Sequence, residues 1–138
     1  MQFYSPFLVV IAFVLCPFLF EGEAPATHTV TLRVNTSTVQ ASNIDASCNF
    51  GQEAGVSNRE FITVVRRGDI VVWNGVSSSN PETDVVLIES IYRDEGERVF
   101  TKDTLASTGQ NPGVVLGTIA GGEDGDIVKY SVAFKVMN

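Results

Sequence analysis

The sequence predicts an all-β protein: a two-sheet Greek-key sandwich of seven or eight strands that follows an N-terminal hydrophobic leader. Three observations predict this fold. Apolar and polar residues alternate from His28 to Val34, as in a strand that is buried on one face. Short β-type runs recur between clusters of Gly, Asn, Pro and Ser, which is typical of sandwiches. The sequence after Thr27 keeps no apolar stripe of helical period.

Residues 1–26 form the predicted leader. The run 7–20 is apolar, and its length suits a secretory signal better than a membrane helix, which needs about 20 residues. Ala24, Pro25 and Ala26 resemble a signal cleavage site, so we expect cleavage after Ala26 and a single domain over residues 27–138. Residues 1–6 carry no Lys or Arg, whereas signals normally do. A retained leader that anchors the protein or helps it to assemble is the alternative.

The elements of the domain follow from the runs of β-forming residues. After the strand that begins at Thr27, the predicted strands are residues 61–65, 70–73, 85–92, 99–101, 114–119 and 127–136. Residues 101–107 are the one segment that suggests a short helical turn. The runs 70–72 and 85–88 are apolar on both faces, which indicates central strands covered by a neighbouring element or by a second subunit.

Charge excludes several classes of partner. The net charge is −7 and the sequence pI is about 4.5, and only two of the acids, Glu21 and Glu23, lie in the leader. An acidic surface repels phosphate backbones and anionic lipids. We therefore expect no nucleic-acid partner and no membrane insertion of the domain. His28 is the single histidine, which disfavours His-based catalysis and metal sites built from several His.

The two cysteines predict no disulfide within the domain. Cys16 lies in the leader, and cleavage would leave Cys48 alone. We expect Cys48 to be a small buried residue.

Two segments of the sequence begin alike, with Gly-Asp followed by a strand that ends in a large aromatic residue. Residues 68–73 read Gly-Asp-Ile-Val-Val-Trp and residues 125–130 read Gly-Asp-Ile-Val-Lys-Tyr. The first resembles the GD-x-V-x-W strand of cupredoxin-like domains. Residues 84–86, 101–108 and 125–134 then resemble, in order, the His-x-Val strand, the Ser/Thr-rich segment and the last strand of that family. The spacing of Asp126 and Tyr130 is also similar to the tyrosine corner of immunoglobulin-like domains.

The resemblance covers residues 60–138 and implies a two-sheet sandwich with Trp73 and Tyr130 in its core. It does not extend to copper. Blue-copper sites use two His, a Cys thiolate and usually a Met, but Asp84 stands where the first His is expected, and no Cys or His follows Tyr130. His28, Cys48 and Met137 do not match the positions of the family's ligands. We therefore assign no metal ligand and no cofactor.

Candidate catalytic groups are limited to scattered carboxylates. Catalysis would need a pair of carboxylates that act as acid and base. The candidates are Glu82 with Asp84, or Glu123 with Asp124 and Asp126. Both sets lie in turn-like sequence, so we interpret them as solvated turn charges and assign no catalytic residue. The acidic run 123–126 lacks the spacing of an EF-hand, and calcium binding there stays open.

Two functions compete. The first is a secreted or cell-surface structural protein that self-assembles by strand addition, with residues 27–34 pairing either within their own sheet or with a neighbour's edge. The second is a ligand-binding module, for a carbohydrate or another cell-surface partner, that uses the loops 77–81 and 109–113. Sugars stack on aromatic rings, and neither loop contains one, so we favour assembly. A copper-binding electron carrier is a third and weaker alternative.

Overall fold

The structure, a computed structural model, describes residues 2–4, 9–12 and 24–138, with side chains described from Ala24 onward. Two short strands lie in the leader, and seven strands form the body, by which we mean residues 27–138. The strands are β1 (Gln2–Tyr4), β2 (Val9–Ala12), β3 (Thr27–Val34), β4 (Cys48–Asn49), β5 (Ile70–Ser77), β6 (Val85–Gly96), β7 (Thr104–Ala106), β8 (Val115–Thr118) and β9 (Ile127–Met137). The helical elements are α1 (Ile44–Ser47) and a 3₁₀ turn at Asn58–Glu60.

The seven strands of the body form two sheets, one of four strands and one of three. The four-stranded sheet has the order β4-β3-β5-β8, and the three-stranded sheet has the order β9-β6-β7. The chain crosses between the sheets after β5, after β7 and after β8, as the connections of a Greek-key sandwich do. The prediction of an all-β, two-sheet fold is therefore confirmed.

The leader adds its two strands to the outer side of β9. Both run antiparallel to β9: residues 2–4 pair with residues 133–135, and residues 9–12 pair with residues 127–130. Cys16 and most of the apolar run 7–20 lie outside the described residues. The predicted cleavage site, Ala24 to Ala26, is described and is exposed to solvent.

Four of the predicted strands of the body appear close to their expected positions, as β5, β6, β8 and β9. The doubly apolar runs 70–72 and 85–88 lie in β5 and β6, which are the central strands of their sheets. The predicted first strand is β3, which pairs in parallel with β5 over its whole length. Of the two alternatives for this segment, pairing within its own sheet is therefore the one observed.

Three local predictions are wrong. Residues 61–65 form no strand, because Phe61 instead stacks on Phe50 with ring centroids 5.0 Å apart and Val65 turns into the core. Residues 99–101 form no strand either, although Val99 and Phe100 are buried. The expected helical turn at 101–107 contains β7, since pairing with β6 overrides the weak local preference.

The core lies between the two sheets. Its largest fully buried side chains are Trp73, Tyr130, Phe134, Leu32, Ile88 and Ile91. Trp73 comes from β5 in one sheet and Tyr130 from β9 in the other, and each is only 1% exposed. The indole Nε1–H donates a hydrogen bond of 3.0 Å to the Tyr130 hydroxyl, and the rings meet edge to face with centroids 5.6 Å apart. Both residues are core residues, as predicted.

The two Gly-Asp segments form equivalent turns that deliver these aromatic residues. Gly68 and Gly125 have positive φ angles of 94° and 85°, which glycine adopts without strain. In each turn the following carboxylate accepts the backbone N–H three residues earlier: Asp69 accepts from Arg66 at 2.9 Å, and Asp126 accepts from Glu123 at 2.7 Å. The repeated motif is therefore structural at both positions.

Within the described residues, no helix combines the length and the apolar character that a membrane crossing requires.

Replacing Tyr130 or Trp73 should lower the free energy of unfolding to different extents. Tyr130→Phe leaves the indole N–H of Trp73 buried without its acceptor and should cost about 1–3 kcal/mol. Trp73→Ala also opens a cavity and should cost about 3–5 kcal/mol. Urea unfolding followed by far-UV circular dichroism measures both losses. Tyr92→Phe, at a tyrosine that is 52% exposed, is the control and should be close to neutral. A Tyr130→Phe protein as stable as the wild type would refute the role of the hydrogen bond.

Candidate functional site

The first predicted binding loop, residues 77–81, is held by its own hydrogen bonds. The Thr36 hydroxyl lies 2.7 Å from the Ser77 hydroxyl and 3.0 Å from the Ser79 hydroxyl. The Asn80 side-chain amide donates to Ser37 at 3.0 Å and to Asp84 at 3.2 Å. These hydrogen bonds join the loop to the turn after β3, so the polar groups stabilise the fold.

The second predicted binding loop, residues 109–113, is fixed against β6. The carbonyl of Gly113 accepts the backbone N–H of Ile88 at 2.9 Å. Gly113 has φ 79°, and a Cβ there would collide with Leu87, so the loop requires glycine for close approach.

The candidate carboxylates serve turns. Hydrogen bonding by Thr36, and then by Asn80 and Thr83, holds the pKa of Asp84 below its ordinary value. Asp126 closes the turn that begins at Glu123. Among the residues that the structure describes, no three His, Cys, Asp or Glu side chains lie close enough to hold a metal ion.

The three residues weighed as copper ligands lie apart. His28 is near the start of β3, whereas Cys48 pairs with Val34 at its end, about 20 Å away at the rise of a strand. Met137 ends β9 in the other sheet. The geometry therefore assembles no copper ligand set from these three residues.

A cleft of about 430 Å³ lies beside α1 and is lined by Asp45, Cys48, Asn49, Gln52, Asn58 and Arg59, among others. Its amides satisfy one another: Gln52 donates to the Asn58 Oδ1 at 2.9 Å, and the Asn58 Nδ2 donates to the Cys48 carbonyl at 3.0 Å. Cys48 is a buried free thiol, as predicted. Burial, and secondly the charge of Asp45, raises the pKa of Cys48 to about 12, so it is a protonated, weakly nucleophilic group at neutral pH.

A charged junction, not found from the sequence, joins the end of the leader to the body. The Asp69 carboxylate lies 2.7 Å from His28 Nε2 and accepts the backbone N–H groups of Ala26 and Arg66 at 3.0 and 2.9 Å. The carbonyl of Ala26 in turn accepts the backbone N–H of Ile70. This junction fixes the start of β3 beside the start of β5. The Gly-Asp motif at residues 68–69 is visible in the sequence. The partners of its carboxylate, His28 and Ala26, lie more than forty positions away and could not be found from it.

The Asp69 carboxyl is maintained in its ionised form by these contacts. Its burial alone would raise its pKa, but the hydrogen bonds from His28 and from the Arg66 and Ala26 backbone lower it, so the pKa lies below its ordinary value of 3.8. The arrangement stabilises the fold and offers no free base.

The surface that remains for interaction is the set of strand edges. The edge strands β4, β8 and β7 are short, at two, four and three residues. β9 has eleven residues, and its outer side is paired with the leader strands. Large apolar side chains are exposed at or near these edges: Val85, Leu116, Ile127 and Met137, each about half exposed.

No protein-family model and no curated protein matches the sequence. Among solved structures, the crystal structure of the PixA inclusion body protein from Burkholderia cenocepacia J2315 is similar, with a TM-score of 0.57. The similarity covers 86% of this chain and 85% of that one, at 16% sequence identity. It supports a shared β-rich fold. The expected cupredoxin identity is not shown by this match.

In the full chain, Asp69→Asn should lower the free energy of unfolding by about 1–3 kcal/mol at pH 7, because it removes the charge that three hydrogen-bond donors share. Since the folded-state pKa lies below 3.8, this contribution is complete above that pH and is lost as the pH falls through the folded-state value. Urea unfolding of both proteins between pH 7 and pH 2 measures the difference. Asp126→Asn, which alters the equivalent turn without a histidine partner, should cost less. A constant difference at all pH values would contradict the assignment.

Proposed function

We propose that the mature protein, residues 27–138, is a non-enzymatic protein, secreted or exposed at the cell surface, that assembles with copies of itself by strand addition. The carrying observation is the eleven-residue β9, which would become the edge of a three-stranded sheet once the leader strands that pair with it are removed. Edge strands present unpaired backbone groups and are the usual sites of pairing with another chain. A three-stranded sheet gains most from such an addition.

Other features support assembly over catalysis. Two of the candidate acid and base carboxylates, Asp126 and Asp84, accept hydrogen bonds within turns, and the buried Cys48 thiol is a poor nucleophile. The protein of similar fold is described as an inclusion body protein, a description consistent with a protein that accumulates in an aggregated form. A non-enzymatic, self-associating role for this chain agrees with both points.

Export provides the setting for this function. The segment Ala24 to Ala26 is exposed to solvent, and both backbone groups of Ala26 bond to the body. Cleavage after Ala26, before these contacts form, would release the body beginning at Thr27. A polysaccharide or another cell-surface partner is the competing role for the released body. The loops that would present it, 77–81 and 109–113, carry no aromatic residue and use their polar groups internally.

The expected result is that the exported protein has the intact mass of residues 27–138 and forms oligomers. The full chain is expressed in an export-competent host, its secreted form is weighed by mass spectrometry, and its molar mass is followed by light scattering over a concentration series. A mean molar mass that rises above that of one body with increasing concentration supports the proposal. A strictly monomeric body at every concentration would reject it and would favour the binding module.

A further inference from the structure

The edges of the two sheets differ in their capacity to pair with another chain. The strands β4, β7 and β8 have four residues or fewer, and short edge strands limit pairing. β3 is partly open, because β4 pairs only with its Arg33 and Val34. β9 is the long edge, and in the body its only described neighbour is β6. The choice of an assembly edge is therefore between β9 and the first residues of β3.

The leader shows that the outer side of β9 accepts an antiparallel strand. Gln2 to Tyr4 lie opposite Lys135 to Ala133, and residues 9–12 lie opposite residues 130–127. The two segments follow one direction along β9, and together they pair with residues 127–130 and 133–135, which are seven of its eleven residues. No described strand lies beside the corresponding part of β3.

Removal of the leader would take this cover away. The cleavage site precedes Thr27, so both leader strands would leave with the same fragment, while the core cluster, which lies within residues 30–136, would stay with the body. We propose that β9 is the edge through which two copies of the body associate, and that the leader covers it until cleavage. This inference rests on the proposed function. The partner is the β9 edge of a second copy, paired antiparallel about a two-fold axis.

Charge restricts the register of this pairing. The residues on the outer face of β9 include Lys129 and Lys135, and like charges directly opposite each other are destabilising. A two-fold axis at Val132 would place Lys129 opposite the partner's Lys135. Axes at Ser131 or at Ala133 bring an outward-facing residue onto the two-fold axis and place each lysine opposite an uncharged residue. Lys129 is also neutralised by Glu95 on β6, at 2.9 Å.

These two registers can be distinguished by disulfide trapping. A residue on the two-fold axis faces its own copy with Cα atoms about 4.5–5.5 Å apart, which suits a disulfide. A residue two positions from the axis lies about 13 Å from its copy, which is too far. Ser131→Cys and Ala133→Cys are therefore made separately in the body. Cys48 is buried and stays in place in all variants.

Matched controls carry a cysteine on the other edges: Thr29→Cys on β3 and Leu116→Cys on β8, both at exposed positions. Each variant is oxidised at micromolar concentration, and the covalent dimer is measured by non-reducing electrophoresis. The same β9 variants are made in the full chain with Cys16→Ser. Because the leader is tethered at an effective concentration near millimolar, it should suppress the dimer at least about tenfold.

The expected result is that one of the two β9 variants forms the covalent dimer in the body, that the controls do not, and that the leader suppresses it. Oligomers of the body that cross-link through Thr29→Cys or Leu116→Cys, and not through β9, would overturn the inference while leaving self-association intact. Equal cross-linking of β9 with and without the leader would overturn the covering role. A body that is monomeric at all concentrations would reject the proposed function itself.

Discussion

The contact between Trp73 and Tyr130 joins the two sheets, and the arrangement of the sandwich depends on it. Each residue follows a Gly-Asp turn by the same number of positions, so similar local sequences place one large ring from each sheet at the centre of the core. The hydrogen bond between them satisfies the only indole N–H of the chain in a dry environment, where an unpaired donor is costly. Phe100 adds a third ring, with its centroid 5.6 Å from that of Trp73.

The second constraint is that neighbouring strands and turns cover some strand edges more completely than others. Short edge strands and turns close the body at β4, β7 and β8, while β9 is long and, in the full chain, has the leader strands beside it. A hydrophobic leader is normally regarded only as an address for export. Here its pairing gives it a physical relation to the domain, because the groups that it satisfies are the same ones that a second copy would satisfy. Under the proposed function, cleavage after export would uncover β9 for assembly.

The fold class could be predicted because a strand's period is local. The alternation from His28 to Val34 and the doubly apolar runs of β5 and β6 indicate strands and their central position without knowledge of the partners. Pairing could not be predicted in this way. The parallel register of β3 with β5 depends on the Asp69 junction, whose contacts span more than forty positions. β7 likewise forms because β6 lies beside it, against a local sequence that suggests a helical turn.

The candidate sites also divide into features that the local sequence predicts and features that depend on distant segments. The sequence correctly placed Cys48, Trp73 and Tyr130 in the interior, since their residue types favour burial. It could not show that the hydroxyls of Thr36 and Ser77 meet, or that the leader reaches β9, because both depend on segments distant along the chain.

Hydrogen exchange of the β9 backbone amides, measured by NMR in the body at low and at high protein concentration, tests the role of this edge most directly. If β9 is the assembly edge, alternate amides from Ile127 to Met137, those that face away from β6, exchange rapidly in the dilute sample and become protected in the concentrated one. The amides of β8 and of the first residues of β3 should not change. Exchange of the β9 amides at the same rate in both samples, while the body self-associates, would contradict this role.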